Sequence, residues 1–368
     1  MINNKLIAVV VPAYNEELQI EMVIKTMPDF VDRVIVVNDG SKDNTEKIVI
    51  DMIQSGTVGK RNICKQADKP SEAKEDTIYN RADTVLAEMR KKEERLYPIH
   101  KVFEEDLDNR LVLISEKNNG VGTAIAIGYK WCRSHHIDCT AVMAGDGQMD
   151  PAELMSIVQP ICENNVDYVK GNRLSHPAAK LIVPQIRYFG NNVLSLLTKI
   201  ASGYWKVSDT QTGYTAISLS ALEKIELYDI YHSYGCPNDI LVKLNIANCT
   251  IREVPIKPVY AVGEKSKMRI LKVVPRISGL LLRDFFRRLW IKYFINSFHP
   301  LFLFYFIGII LVLINIPFLI DIIINVLIRQ GTVQTGVYMA FVLLAISSFQ
   351  CIGFGMWMDM QDNESLNK

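Results

Sequence analysis

Continuous apolar runs alternate with polar turns through the first half of the chain. Residues 5–11 and 31–37 are rich in β-branched side chains, as in strands that are buried on both faces of a parallel sheet. Each run stops at a polar turn, and residues 17–27 between them have the pattern of a helix. Connections between parallel strands are right-handed, so both turns are expected at one edge of the sheet. Open α/β sheets bind their ligands at that edge.

The same alternation continues to about residue 260 and predicts an α/β domain with a mainly parallel sheet. Further strands are predicted at residues 111–115, 137–143 and 168–173. Further helices are also predicted. One begins at Asn44 or Thr45, one follows Gly122 and runs through Trp131, one begins after Asp150-Pro151, one carries Arg187, and one covers residues 240–247. Residues 174–184 are interpreted as a mobile loop. The prolines at 255 and 258 make residues 254–260 an extended segment rather than a central strand.

A charged segment, residues 55–109, interrupts this alternation. Lys, Glu, Asp and Arg dominate residues 67–95, while apolar residues recur at helical spacing: Ile78, Ala82, Val85, Leu86 and Met89. We interpret the segment as an inserted amphipathic helix whose charged face is solvated. Because its apolar stripe is narrow and needs a partner, we predict a peripheral lid or a pair of helices that makes a homo-oligomer.

The C-terminal part of the chain has the pattern of a membrane protein. Residues 265–292 carry nine Lys and Arg residues among Leu, Ile, Val, Phe and Trp, which is typical of helices lying on an anionic membrane surface. Residues 301–320 contain no charged residue, and residues 337–357 form a second such span. About twenty apolar residues cross a bilayer core. We therefore predict two transmembrane helices rather than two buried helices of a soluble core.

The distribution of cations predicts the topology. Arg329 is the one Lys or Arg between the two spans, against nine just before the first span. The positive-inside bias places the basic side in the cytosol. The expected organisation is a cytosolic domain at residues 1–264, amphipathic juxtamembrane helices at 265–298, two membrane helices at 299–358 and a cytosolic tail at 359–368.

Composition argues against several classes of protein. The 368 residues carry a formal charge of +1, so we expect no nucleic-acid partner, because general nucleic-acid binders are usually basic. Seven cysteines form no Cys-x-x-Cys pair, so neither zinc nor a disulfide framework is expected. The N-terminus lacks the pattern of a signal peptide.

The candidate chemistry centres on residues 142–151, where a buried strand ends in a glycine-flanked acidic turn. Asp146 and Gln148 could supply two oxygen ligands to Mg²⁺ or Mn²⁺, which also take water and substrate phosphate oxygens. The alternative is an ordinary strand-to-helix turn in which Asp150 caps the next helix. Asp39, in the turn after the second strand, is a candidate nucleotide contact. The sequence Gly120-Val-Gly122 lacks the third glycine of a dinucleotide site, so a nicotinamide enzyme is disfavoured.

These motifs together resemble the inverting family-two glycosyltransferases of the GT-A fold, and within them the polyprenyl-phosphate hexose synthases such as dolichyl-phosphate mannose synthase. The resemblance covers residues 5 to about 270, apart from the charged insertion. It implies a nucleotide-binding role for Pro12, Tyr14, Glu16 and Asp39. It also implies that Asp146 and Gln148 contact the ribose and the metal, with Asp146 a catalytic residue. The first aspartate of the family motif is Ala144 here, which removes one carboxylate.

The resemblance also implies an acceptor site and a basic loop. Arg173 and Arg187 correspond to the residues that bind the acceptor phosphate, a task suited to the planar fork of arginine. Either arginine could instead form a surface ion pair. Lys265, Lys267 and Arg269 resemble the loop that folds over the donor diphosphate, and their alternative role is contact with lipid headgroups.

The implied reaction transfers a hexose from a nucleotide-diphosphate sugar to a polyprenyl phosphate with inversion. Asp239 lies where related enzymes keep a catalytic general base. A phosphate acceptor needs a base less, so Asp239 is either this base or a positioning residue. Two alternatives remain open: a processive membrane polysaccharide synthase, and a membrane-tethered nucleotide-sugar-binding protein without catalysis. The sequence does not identify the sugar, the nucleobase or the lipid length.

Overall fold

A computed structural model of the chain describes residues 2–59, 81–96, 101–103, 109–182, 185–259, 270–328 and 332–368. Within these residues eight strands form one sheet: β1 (Ile7–Ala13), β2 (Arg33–Asp39), β3 (Lys101–Phe103), β4 (Leu111–Glu116), β5 (Cys139–Val142), β6 (Tyr168–Asn172), β7 (Thr215–Ser218) and β8 (Ile251–Pro255). Their order across the sheet is β3-β4-β2-β1-β5-β7-β6-β8.

Helices cover both faces of this sheet. They are α1 (Ile20–Lys25), α2 (Thr45–Gln54), α3 (Arg81–Leu96), α4 (Val121–Ser134), α5 (Leu154–Asn164), α6 (Ala179–Ile182), α7 (Gln185–Ser202), α8 (Leu219–Lys224) and α9 (Cys236–Ile246). Successive side chains of a strand point to opposite faces, so Val10 and Val9 of β1 enter two separate hydrophobic cores. Both are fully buried, which explains why the sequence of β1 is apolar at consecutive positions.

Four neighbouring strands of the sheet, β4, β2, β1 and β5, are parallel, as predicted. β1 pairs in parallel with β2 and β5, and β2 pairs in parallel with β4. The carboxyl ends of these four strands therefore meet at one edge. In the other half, β7 runs antiparallel to both β5 and β6, and β8 returns parallel to β6 at the edge of the sheet. β8 ends at Pro255, in agreement with the extended segment expected there.

Some predicted boundaries are wrong. Helix α1 covers Ile20–Lys25 rather than residues 17–27. Before it, the backbone N–H of Glu17 donates to Asp43 Oδ2 (3.1 Å) and joins this segment to the turn after β2. Helix α9 begins at Cys236 rather than at residue 240, which places Asp239 in its first turn. The loop predicted at residues 174–184 contains the short helix α6.

The charged insertion contributes to the sheet as well as forming a helix. Helix α3 lies within it, but β3, which pairs antiparallel with β4, was not predicted. On α3 the Lys92 ammonium lies 5.0 Å from the centroid of the Tyr228 ring. Val85 and Leu86 remain 49% and 55% exposed. Residues 60–80, which include Ile78, lie outside the described residues, and the role of a lid or oligomerisation element stays a prediction.

The C-terminal helices form the predicted hairpin. Helix α10 (Ile270–Arg288) continues as a π-helical segment, Leu289–Asn296. Helices α11 (Pro300–Ile323) and α12 (Thr335–Asp362) then pack against each other. A Cβ added at Gly308 would lie 2.6 Å from Ile352 Cγ1, so glycine permits their close approach. Both helices are long and apolar enough to cross a membrane.

A buried group of polar side chains holds the end of α12 to the N-terminal domain. We call it the polar cluster: Arg288, Lys292, Tyr293, Asp359 and Asn363. Arg288 makes a bidentate ion pair with Asp359 (2.7 and 2.8 Å). Its Nε also donates to the carbonyl of Ala201 at the end of α7 (2.9 Å). Lys292 donates to Asn363 Oδ1 (2.7 Å) and to Asn245 Oδ1 on α9 (3.1 Å).

The chain terminus also returns to the sheet. The backbone N–H of Lys368 donates to the carbonyl of Ile251 in β8 (2.9 Å), and Leu366 packs against one of the two cores. Both ends of the helical hairpin therefore lie at the N-terminal domain.

Candidate functional site

The turns after β1 and β2 are bound to each other. The backbone N–H of Asn15 donates to Ser41 Oγ (3.0 Å), and the N–H of Lys42 donates to Asn15 Oδ1 (2.8 Å). Asn15 has φ of 56°, a left-handed conformation that asparagine tolerates better than most residues. These contacts fix the segment that carries three predicted nucleotide-binding residues: Pro12, Tyr14 and Glu16.

Asp39, the last residue of β2, joins the same edge to the turn after β4. Its Oδ1 accepts a hydrogen bond from the N–H of Asn119 (2.7 Å), and its Oδ2 accepts one from the N–H of Gly120 (3.1 Å). Burial raises the pKa of Asp39, and these two hydrogen bonds oppose the rise. Gly40 has φ of 66°, and a Cβ there would lie 2.8 Å from Asn118 N, so this turn requires glycine.

The central acidic turn follows β5 and lies beside the turn after β1. A Cβ at Gly145 would lie 3.3 Å from the carbonyl oxygen of Pro12. Asp146 Oδ1 accepts a hydrogen bond from the N–H of Gln148 (3.0 Å), and Gly147 between them has φ of 73°. Asp146 and Gln148 are both partly exposed. The parallel sheet thus brings Asp146 and Gln148 to the edge that also carries Asp39.

Asp150 caps the helix that follows the acidic turn, as the alternative interpretation of this turn predicted. Its carboxylate accepts a hydrogen bond from the N–H of Ala152 (2.9 Å) and caps the 3₁₀ turn Pro151–Glu153 that leads into α5. The Tyr214 hydroxyl donates to the carbonyl of Asp150 (3.0 Å). The helix cap and the acidic turn are therefore adjacent features of one loop, and Asp146 is not needed for the cap.

The side chains of the acidic turn fit a metal that takes most of its ligands from elsewhere. The described residues contain no group of three or more His, Cys, Asp or Glu side chains that could hold a metal ion. With Ala144 in the family's first aspartate position, the turn offers the Asp146 carboxylate and the Gln148 amide oxygen. Mg²⁺ is commonly bound through one or two carboxylates together with waters and substrate phosphates. The donor set thus suits a cation that arrives with a diphosphate.

Arg173 lies in the site, and its guanidinium is bound to a neighbouring carboxylate. It follows β6 and lines a small pocket with Gln148 and Tyr214. Its Nε and Nη2 donate to the two oxygens of Asp209 (2.8 and 3.1 Å). Asp209 is fully buried, which opposes its ionisation, but the Arg173 charge keeps the pKa of Asp209 below its usual value. An acceptor phosphate bound by Arg173, as predicted, would have to share the guanidinium with Asp209.

Sequence reasoning missed the buried charges behind Arg173. Lys170 is fully buried and donates to the carbonyl of Thr212 (2.6 Å), and burial lowers its pKa to about 8. Glu253 accepts hydrogen bonds from the N–H groups of Ser208 (2.7 Å) and Asp209 (3.0 Å). These residues come from three separate parts of the chain, so no short motif signals them. Together they hold the polar turn at residues 209–214 against β6.

Asp239 lies in a buried ion pair. It is 1% exposed, its carboxylate contacts the Lys243 ammonium, and it accepts a hydrogen bond from the N–H of Tyr231 (2.8 Å). The i, i+4 spacing of Asp239 and Lys243 on one helix is a signal that the sequence contained. These contacts favour the positioning role over the general base.

The remaining predicted residues are only partly described. Arg187 lies in α7, but its side chain is outside the described part of the structure. Residues 260–269, with Lys265, Lys267 and Arg269, are also outside it. Their roles stay predictions.

Comparison with known proteins supports the assignment of a family. The family model described as "Glycosyl transferase family 2" matches residues 8–65 and 92–226, more than half of the chain. The unmatched residues between these two ranges fall within the predicted insertion.

Two curated relatives and one solved structure are similar to the chain. UDP-N-acetylglucosamine–dolichyl-phosphate N-acetylglucosaminyltransferase of Methanococcus voltae is 29% identical over 259 residues, covering 70% of this chain and 87% of the relative. An uncharacterised protein of Methanocaldococcus jannaschii is 24% identical over 261 residues, covering 70% and 84%. Glucosyl-3-phosphoglycerate synthase of Mycobacterium tuberculosis, in complex with Mn²⁺, UDP and glucosyl-3-phosphoglycerate, aligns with a TM-score of 0.46 and 18% identity over 77% of this chain and 80% of that chain. Since the family model covers more than half of the sequence, the chain belongs to glycosyltransferase family 2 and is a glycosyltransferase of the GT-A fold.

Proposed function

We propose that the protein transfers a sugar from a nucleoside diphosphate sugar to a polyprenyl phosphate, with inversion at the anomeric carbon. The observation that carries the proposal is that a family-two domain is joined, through a buried polar cluster, to two packed helices that are long and apolar enough to cross a membrane. The Methanococcus voltae relative, which is named for transfer to dolichyl phosphate, supports this acceptor. We predict a hexose as the sugar, and the name of the relative makes an N-acetylhexosamine the other sugar to test.

The donor would bind along what we call the donor edge: Tyr14, Glu16, Asp39, Asp146 and Gln148. Asp39 and the turn after β1 would hold the nucleoside. Asp146 and Gln148 would hold Mg²⁺ or Mn²⁺ together with the diphosphate. Such a cation, when bound, neutralises the charge that develops on a departing diphosphate.

The acceptor would approach from the membrane side of α7, the helix that carries Arg187. Helix α7 packs against α10, the amphipathic helix that leads into the hairpin. Leu196 on α7 and Leu282 on α10 are 56% and 60% exposed, and Trp290 in the following segment is 48% exposed. Exposed apolar side chains on helices next to a membrane hairpin suit contact with lipid. A membrane-embedded polyprenyl chain would present its phosphate beside these helices.

The reaction would be a single displacement. An oxygen of the lipid phosphate attacks the anomeric carbon, the bond from that carbon to the nucleoside diphosphate breaks, and the electron pair leaves with the diphosphate. A phosphomonoester carries a charge of about −1.5 to −2 near neutral pH, so the nucleophile needs little deprotonation. A buried, ion-paired Asp239 is compatible with this chemistry because no strong base is required.

The proposed topology follows from the hairpin. Because both ends of the hairpin lie at the N-terminal domain, that domain and the tail would share one side of the membrane, and the positive-inside bias makes that side the cytosol. Protease added to sealed inside-out vesicles should reach the tail and leave residues 330–336 protected. Protection of the tail would contradict the hairpin.

A lipid-product assay tests the proposed function. Purified protein in detergent would receive Mg²⁺, undecaprenyl or dolichyl phosphate, and a panel of radiolabelled UDP- and GDP-linked hexoses and N-acetylhexosamines. We expect an organic-soluble labelled lipid with one donor of the panel. A labelled polymer would instead show a processive synthase, and no product with any donor would favour a binding protein without catalysis.

A further inference from the structure

Glu116 lies beside Asp39 at the donor edge. It is the last residue of β4, and the parallel register of β2 and β4 pairs Asp39 with Glu116. Residues paired in register on parallel strands project from the same face of a sheet. Val37 and Ile114, two residues before each of them, belong to one hydrophobic core, so both carboxyl groups lie on the face that this core covers.

The Glu116 carboxyl group has an unused polar atom in a buried position. The residue is 7% exposed, and its Oε1 is buried without a hydrogen-bond partner among the described side chains and backbone groups. Buried polar atoms are nearly always hydrogen-bonded, because an unpaired one forfeits its contact with water and gains nothing in return. By contrast, both oxygens of Asp39 accept backbone hydrogen bonds. The unpaired Oε1 therefore points to a partner that arrives with a ligand.

The two carboxyl groups differ in protonation. Burial, and secondarily the charge of Asp39, raise the pKa of Glu116 to about 8. The elements packed around β4 carry several other ionisable groups. They are Arg33 and Asp39 on β2, Glu46, Lys47 and Asp51 on α2, Tyr129, Lys130, Cys132 and Arg133 on α4, Lys101 on β3, and His232 in the loop over Gly120. Among those with described side chains, Asp39 is the one whose charge acts on Glu116. At neutral pH the proton is on Glu116, which makes it an O–H donor beside an acceptor.

We propose that Glu116 and Asp39 together select the nucleobase of the donor, with Glu116 donating to a ring carbonyl and Asp39 accepting from the adjacent ring N–H. This inference rests on the proposed function, because it assigns the nucleoside of the sugar donor to this edge. Uracil and guanine share the required chemistry, a ring N–H next to a carbonyl. Cytosine and adenine present an unprotonated ring nitrogen next to an amino group instead. Glu116 is thus a specificity-determining residue that the sequence motifs did not identify.

Calorimetric titration of the full-length protein with UDP, GDP, CDP and ADP between pH 6.5 and 8.5 tests the proposal. The matched variant is Glu116→Gln, whose amide donates a hydrogen bond at every pH in this range. Taking the ratio of wild-type to Glu116→Gln affinity removes the titration of the nucleotide phosphates. Because the bound form needs the Glu116 proton, this ratio should fall about fourfold for UDP or GDP as pH rises through the pKa of Glu116. Glu116→Ala should weaken the same nucleotide about three- to tenfold at pH 7.

Comparing the four nucleotides separates the possible ligands. If the affinity ratio falls with rising pH for UDP alone or for GDP alone, that nucleotide carries the selected base. No such fall in the ratio is expected for CDP or ADP. A ratio that does not change with pH for UDP and GDP would overturn the proposal, as would an equal fall with all four nucleotides. Glu163→Gln, an exposed carboxylate on α5, serves as the control substitution and should behave as wild type.

The lipid-product assay separates this inference from the proposed function. If labelled lipid forms but the affinity ratio is independent of pH, the Glu116 inference fails alone. If the ratio falls but no lipid product forms, the base contact is supported and the proposed acceptor fails.

Discussion

The donor edge and the polar cluster are both rich in charged side chains, but they use them differently. In the polar cluster each group is bound within the protein: Arg288 is fully buried, and its guanidinium contacts Asp359 and two carbonyls at the end of α7. At the donor edge Asp146 and Gln148 are partly exposed, and one oxygen of the buried Glu116 has no hydrogen-bond partner in the part of the chain that the structure describes. A buried network whose groups are satisfied holds parts of a protein together. An incomplete one at the ligand edge of a sheet is where a ligand would complete it.

The largest expected effect is on stability, from breaking the polar cluster. Arg288→Ala leaves the buried Asp359 with hydrogen bonds from Tyr293 and Asn363 but without the guanidinium of its ion pair, and breaking a buried ion pair typically costs about 3 to 5 kcal/mol. We expect a marked loss of thermal stability of the detergent-solubilised protein, measured by the unfolding of the N-terminal domain. Lys206→Ala, which removes an exposed ion pair with Glu364, is the matched control and should cost less than about 1 kcal/mol. Equal stability of the two variants would contradict the role of the cluster.

Removal of the Asp146 carboxylate should lower the activity without changing the stability of the fold. Asp146→Ala is expected to lower the rate of lipid-product formation by about a hundredfold or more, since a bound cation contributes several kcal/mol to stabilising the departing charge. Its thermal unfolding should match the wild type, and Gln148→Ala should lose less activity. Full activity of Asp146→Ala at limiting Mg²⁺ would refute the metal assignment.

Arg187 tests whether donor and acceptor sites are distinct. Arg187→Ala should raise the apparent KM for polyprenyl phosphate about ten- to a hundredfold, the equivalent of about 1.5 to 3 kcal/mol for a charge-assisted contact. Nucleotide affinity, measured by calorimetry with metal present, should barely change. Arg187→Lys restores the charge without the planar fork and should rescue only in part. A large loss of nucleotide affinity would instead move Arg187 to the donor edge.

The smallest effect is expected for the charged insertion, which belongs to neither region. Replacing residues 67–97 with a short Gly/Ser linker removes α3 but none of the predicted site residues. Measurable turnover should remain in the lipid-product assay. Complete loss of activity in a variant that still folds would show that the insertion shapes the site. A change in oligomeric state, measured by light scattering, would identify the partner of exposed Val85 and Leu86.

The sequence predicted the parallel half of the fold because its signals are local. Consecutive apolar residues mark buried strands such as β1, and the polar turns after them must meet at one edge. The antiparallel placement of β7 and the pairing of β3 with β4 were not predicted. These pairings depend on which strands meet across the sheet, and the short apolar run of β7 would suit either direction.

The site was predictable only where its residues form short motifs. Asp39 is the last residue of β2, and Asp146 and Gln148 follow the end of β5, so these three residues were found in this way. An ion pair was the alternative role given for Arg173, but its partner Asp209 was not identified, because the two residues are 36 apart in the chain and come together only in the folded sheet. Glu116 was not identified because its significance depends on burial beside Asp39, which a sequence does not show.

Hydrogen exchange of backbone amides, measured by mass spectrometry with and without nucleoside diphosphate and Mg²⁺, tests the contrast between the two regions most directly. If the donor edge binds the nucleotide, exchange should slow in the turns at residues 14–17, 39–42, 116–121 and 144–148. Exchange around Ala201 and Asn363 should stay unchanged, because the polar cluster is already complete. Slowed exchange confined to the polar cluster, or none at the donor edge at saturating nucleotide, would contradict the account.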